Sequence, residues 1–208
     1  MTIVVGARVP GCTLKDLRTR LQGRLSDLSD SNADYFVNDA HREFHEMFDW
    51  PWLNVEASGA APLTLTDFGR VEYVVDDATK DELSWIDKNR LVKEVSTDLT
   101  VTGTPSYWYR LGVDAIGVYP ASTTTLNVSY WQEVADLVAG TDETLNPARY
   151  CPIVLDLAYA KAMGDKQDEN DIAGKLQERV ERRIVRVAAK VMVPSSEADA
   201  VLRTDWAG

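Results

Sequence analysis

Between Tyr150 and Met163 the chain is apolar on almost every side: Ile153, Val154, Leu155, Leu157, Ala158 and Tyr159 leave a helix little polar face to turn toward water. A helix that is hydrophobic all round is buried, so this segment needs covering elements on several sides. Three other stretches carry helical periodicity. Leu14, Leu17, Leu21, Leu25 and Leu28 recur at steps of three and four behind the capping-box-like Thr13-Leu-Lys-Asp16, which predicts a helix over 13–28. Ser29-Asp-Ser-Asn32 breaks that run. Phe36, Ala40, Phe44, Met47 and Phe48 then predict a second helix over 32–48, ended by Trp50-Pro51 because proline disfavours helix in the residue before it. Ile172, Leu176, Val180, Ile184 and Val187 predict a last helix over about 166–191 that lies on the 150–163 helix, with charges on the rest of its circumference.

Between the two helical pairs the texture changes. After Asn54–Pro62 come short runs rich in β-branched and aromatic residues, Leu63–Leu65, Val71–Val75, Leu83–Ile86, Val92–Val95, Tyr107–Leu111, Ile116–Tyr119 and Leu126–Trp131, separated by Asp, Gly, Pro and Thr. That spacing suggests a β-sandwich or small barrel. Val113-Asp-Ala-Ile116 looks like a hairpin connection, with Gly112 and Gly117 able to take positive φ. The expected fold is therefore α+β: a four-helix unit made of residues 1–61 and 147–192, an antiparallel β-sandwich or barrel-like lobe inserted at 62–146, and an extended C-terminal tail at 193–208.

Of 208 residues, 45% are apolar and 26% charged, which removes support for collagen-like, coiled-coil-only or wholly disordered readings. The net charge is −11 and is unevenly shared, since residues 63–146 hold fourteen acids against six bases. DNA binding over the whole surface is disfavoured. The C-terminal half of the last helix is locally basic, where Arg179, Arg182, Arg183, Arg186 and Lys190 face only Glu181. Cys12 and Cys151 are too few for a disulfide framework and read as packing residues, which suits synthesis in a reducing compartment. No stretch approaches a membrane span, and Met1–Val9 lacks the features of a signal peptide.

Catalytic signals are weak, and no enzyme activity is expected. His41 and His45 stand four apart, as on a zinc-protease helix, but Arg42 occupies the place of the general base and the chain has no other histidine. Surface or interface histidines are the reading. Asp76-Asp77, Asp81-Glu82 and Asp142-Glu143 read as solvated turn residues, because neighbours on a strand point to opposite faces. Nucleophile elbows, phosphate-binding loops and dinucleotide turns are missing, so no catalytic, cofactor or metal residues are assigned. Trp50, Trp52, Trp85, Trp108 and Trp131 suit packing or partner contact. Asn127-Val-Ser129 matches a glycosylation sequon that means little without secretion.

The order of elements resembles the head–tail connector proteins of bacteriophages, and is also similar to the tail-tubular A proteins of short-tailed phages. The resemblance rests on a helix pair ending in Phe44-His-Glu-Met-Phe48-Asp-Trp50-Pro-Trp52. A strand block follows, closing with Pro105-Ser-Tyr107-Trp-Tyr109, Ile116-Gly-Val-Tyr119-Pro120 and Leu126-Asn-Val-Ser-Tyr130-Trp131. Thr141-Asp-Glu-Thr-Leu-Asn146-Pro147-Ala-Arg-Tyr150 then leads into the alanine-rich Leu157-Ala-Tyr-Ala-Lys-Ala162 and a charged last helix. It covers about residues 12–190.

The resemblance implies a structural virion protein, made in the host cytoplasm and placed in the neck. Copies would form a homo-oligomeric ring, twelvefold in the family, below the portal ring. The ring would extend the DNA channel without sequence-specific binding and offer a surface to a tail or head-closure protein. Val201, Leu202, Trp206, Arg183 and Arg186 are the portal-docking candidates, and Tyr150, Val154, Leu157 and Tyr159 the subunit-interface candidates. Other neck roles (head closure, tail termination), a β-sandwich module holding carbohydrate or protein, and a metal-dependent hydrolase on His41 and His45 are the alternatives.

Overall fold

A computed structural model describes residues 11–165 and 170–192. They form two compact units, one helical (described residues from Gly11 to Trp52 and from Val134 to Met192) and one β-rich (Leu53–Glu133).

In the helical unit, α1 (Leu14–Arg24) is capped by the Thr13 hydroxyl, which accepts from Asp16 N at 3.1 Å. α2 (Asp30–Glu46) is capped by Ser29, so the residue read as a breaker is the start signal of the next helix. α1 also stops short of Leu28: the leucine spacing continues past Arg24 because the connection folds back, with Gln22 Nε2 donating to Leu28 O. α4 (Cys151–Gly164) follows a 3₁₀ turn, and α5 is Asn170–Met192. α4 packs against α1, α2 and α5, which is how its apolar circumference is covered. Ile153, Val154, Leu155, Leu157 and Ala158 are all buried. On α5 the buried positions are Ala173, Val180, Ile184 and Ala188, whereas Ile172 is exposed, so the inward stripe is rotated from the expected one.

Ion pairs tie these helices at their rims. Arg18 holds Asp34 through two hydrogen bonds of 2.6 Å, joining α1 to α2. Lys161 on α4 donates to Asp39 at 2.6 Å and also pairs with Glu43, both on α2. Burial disfavours its ammonium, but these bonds outweigh that and raise its pKa. Asp156 on α4 accepts from Arg24 of α1 at 2.8 Å and from Arg183 of α5 at 3.0 Å.

The β unit has two sheets that enclose one core. β1 (Asn54–Ala60), β7 (Thr125–Gln132) and β3 (Phe68–Asp76) form an antiparallel sheet in the order β1-β7-β3. β2 (Leu63–Thr64), β6 (Ala115–Tyr119), β5 (Tyr107–Arg110) and β4 (Ser84–Trp85) form the other, in the order β2-β6-β5-β4, with β4 parallel to β5. Leu63, Phe68, Val74, Ile116, Leu126 and Val128 fill the space between them. The sheets do not close into a barrel.

Three local readings are corrected. Asn54–Ala60 is a strand despite having a single β-branched residue, because β7 pairs with it from Asn54↔Trp131 to Ala60↔Thr125. Val92–Val95 is not a strand: Asp87 caps a short helix, α3 (Lys88–Arg90), that runs into a π turn at Leu91–Val95, which buries Leu91. Gly112 has φ +79° in the β5–β6 loop as expected, but Gly117 is needed for closeness, since a Cβ there would lie 2.7 Å from the Tyr109 ring.

Leu157→Asp places a carboxylate among the three helices that cover α4, a cost of several kcal/mol. Circular dichroism and urea unfolding should find the helical unit unfolded or strongly destabilised.

Candidate functional site

The exposed face of α5 is densely charged. At 3.6 residues per turn, Lys175, Arg179, Arg182, Arg183, Arg186 and Lys190 fall within an arc of about 100° and span about 22 Å of axis. All six are exposed. Arg183 is held by Asp156, and Arg182 pairs with Glu178 one turn before it. Lys175, Arg179, Arg186 and Lys190 have no ion pair among the described residues. Asp156 and the arginines border a groove of about 750 Å³. Ile172 and Leu176 lie on the same face near its N-terminal end.

A second opening lies in the β unit. The outer edge of β3 pairs with the returning chain only at its end, where Leu83 N donates to Val74 O and Asp76 N to Asp81 O. Over Phe68–Tyr73 β3 remains an edge, broken by register shifts at Phe68/Arg70 and Val71/Tyr73. The resulting slot, about 910 Å³, is lined by Trp85, Trp108, Glu82, Asp87 and Arg110 among others. Trp85 is 63% exposed. Arg110 is committed: it lies over the Phe68 ring at 4.6 Å and donates to Phe68 O and Val113 O. Asp87 accepts from Asn89 N and Arg90 N, while the Glu82 carboxylate has no partner among the described residues.

The remaining sequence candidates fall as follows. Val154 and Leu157 are enclosed within their own subunit, whereas Tyr150 and Tyr159 are half-buried. Val201, Leu202 and Trp206 lie outside the described residues. Trp50 is buried, donates to Phe44 O at 2.7 Å and stacks with Phe44 and Trp52, and Trp52 stacks in turn on Tyr150. Asp77 is exposed and paired with Lys80, but Asp76 is buried and accepts from Ala78 N, so that pair divides between core and solvent. Asp142 accepts from Val138 N and Ala139 N.

His41 and His45 are core residues, not surface ones, at 1% and 3% exposure. Leu145 N donates to His41 Nε2, and His45 Nδ1 donates to the His41 carbonyl at 2.7 Å. No group of ligands that could hold a metal occurs among the described residues. Cys12 and Cys151 are likewise reassigned: they form a disulfide that ties the start of α1 to the start of α4. Neighbouring hydrogen bonds hold the same junction, with Cys12 N donating to the Thr144 hydroxyl and Thr144 N to Cys12 O.

The described residues contain no helix long and apolar enough to cross a membrane. The chain is thus a two-unit α+β protein, a strand unit inserted between helix pairs, whose charged and open surfaces suit docking. It matches the family model described as SU10 adaptor protein over residues 13–201 and belongs to that family of phage head–tail adaptor proteins. Among curated proteins, none matches it.

Burial pushes the His45 pKa down to about 4, against the opposing pull of the His41 carbonyl. The unfolded chain takes up this proton near pH 6.5. His45 therefore contributes stability that is complete above pH 6.5 and is lost as pH falls to about 4, in total about 3 kcal/mol. Urea midpoints measured across that range should show this acid limb, and His45→Gln should flatten it whatever its effect at neutral pH. Cys12→Ser opens a loop closed across 139 residues. Chain entropy puts the loss at up to about 5 kcal/mol, read as a lower unfolding midpoint that dithiothreitol reproduces in the parent protein.

Proposed function

We propose that this adaptor is a non-catalytic component of the virion neck. Copies assemble into a ring below the portal, extend the DNA channel and present a surface to the next tail or head-closure protein. The observation that carries this reading is the family match from residue 13 to 201, which takes in both helix pairs and the strand unit as one protein.

Physical features support it. A channel that lets DNA slide needs surfaces that do not grip phosphate, and a chain of net charge −11 has carboxylates to spare for that lining. Portal attachment is assigned to residues 193–208, where Val201, Leu202 and Trp206 are apolar anchors in an otherwise polar stretch. Sixteen residues in extended form span at most about 50–58 Å, enough to reach another chain.

Truncation at Met192 should leave a folded protein that no longer co-purifies with portal and is missing from the neck in particle images. Full neck occupancy by the truncated protein would remove the tail from the docking assignment. A particle image with the full-length protein outside the neck would overturn the adaptor reading of its position.

A further inference from the structure

The basic face of α5 and the acidic β unit, with its tryptophan-lined slot, are complementary in charge. We propose that they dock against each other between copies: the α5 arginines of one subunit enter the Trp85 slot of the next. This rests on the ring reading above and names the surfaces that would carry it.

The first observation is electrostatic. Lys175, Arg179, Arg186 and Lys190 crowd one face with no ion pair among the described residues, since the carboxylates there, Asp156 and Glu178, are taken by Arg183 and Arg182, and such a row is self-repelling until an anionic surface covers it. The β unit supplies one, with twelve acids against six bases over residues 53–133. The slot is lined by the exposed carboxylates of Glu72, Glu82 and Asp87 against Arg70 and Arg110, with the exposed Asp81 next to Glu82 in the chain, and Lys80 is paired with Asp77.

The second observation is chemical. Guanidinium groups combine a flat face that stacks on indole with a donor edge that binds carboxylate. Trp85 offers the indole at 63% exposure, and Glu82 on the same rim, without a partner among the described residues, offers the carboxylate. Of the two cations lining the slot, Arg110 is held by backbone carbonyls and Arg70 lies over the Trp131 ring at 5.3 Å.

Ile172 decides between a protein and a nucleic-acid occupant. It is 60% exposed on the basic face, beside the half-buried Leu176. An apolar pair gains nothing against phosphates but is covered by a protein surface, and Arg with apolar neighbours is the composition of protein interfaces.

Because the two surfaces differ, the contact is head-to-tail, which propagates into a ring when the rotation closes. It also removes the arginines from the channel, so that an acidic lining and a basic helix coexist in one assembly. Arg186, given to the portal in the sequence reading, is thereby assigned to the neighbouring copy.

The test uses full-length protein and two variants, Arg179→Glu/Arg186→Glu on the helix and Asp81→Arg/Glu82→Arg on the slot, each checked for parental circular dichroism. Light scattering and sedimentation at low salt should show the parent self-associating, roughly tenfold more weakly at high salt. Each variant alone should be monomeric. Mixed, they should form a 1:1 heterodimer and nothing larger, because the slot of one remains able to receive the helix of the other. Trp85→Ala, which leaves charge unchanged, should weaken that heterodimer.

A mixture that stays monomeric, or single variants that associate like the parent, would overturn the proposal. So would a helix variant that self-associates normally but loses binding to a 30-base-pair duplex, which would make DNA the occupant. Portal recruitment is scored separately: a monomeric variant that portal still holds has lost the contact between copies alone, while a parent absent from the neck overturns the adaptor reading.

Discussion

Burial of α4 organises the helical unit. Its apolar residues run round the whole helix, so each exposed face would leave Ile153, Leu155 or Leu157 in water at about 1.5–3 kcal/mol per side chain. α1, α2 and α5 each take one side. The charged groups of α4 stand at the rim, where Lys161 and Asp156 reach carboxylates and guanidinium groups on neighbouring helices. Inside, His45 is tolerated because it stays neutral and donates to the His41 carbonyl, which is why acid threatens this core.

The β unit obeys a different constraint. Two sheets share one apolar interior, but the strand bordering the slot, β4, is only two residues long. β3 therefore pairs at its Val74–Asp76 end and stands open from Phe68 to Tyr73. An open edge is ordinarily a hazard. Here register shifts, an arginine over Phe68 and a carboxylate rim interrupt it, leaving an irregular surface suited to side-chain docking rather than strand addition.

Charge is divided unevenly between the units. The same acidic excess that disfavours adhesion to DNA leaves the α5 cations as the exception, and those cations lie outward because Val180, Ile184 and Ala188 face the core. Amphipathic periodicity thus fixes where the basic stripe points before any partner is present.

Elements written in local spacing were legible in the sequence: the four helices, the β-rich middle, the Gly112 turn and the clustering of α5 cations. Each depends on residues within a few positions of one another. Elements that depend on distant residues were not. Asn54–Ala60 becomes a strand only because β7 lies beside it, and Cys12 meets Cys151 only because α1 packs on α4. His41 is bonded by Leu145, a hundred positions away in the chain. The Trp85 slot draws on β3, on the chain from Glu82 to Asp87 and on β5. Local periodicity determined which faces are apolar or charged; only tertiary packing decided which of those faces meet, because that choice is made by the burial of surfaces far apart in the chain.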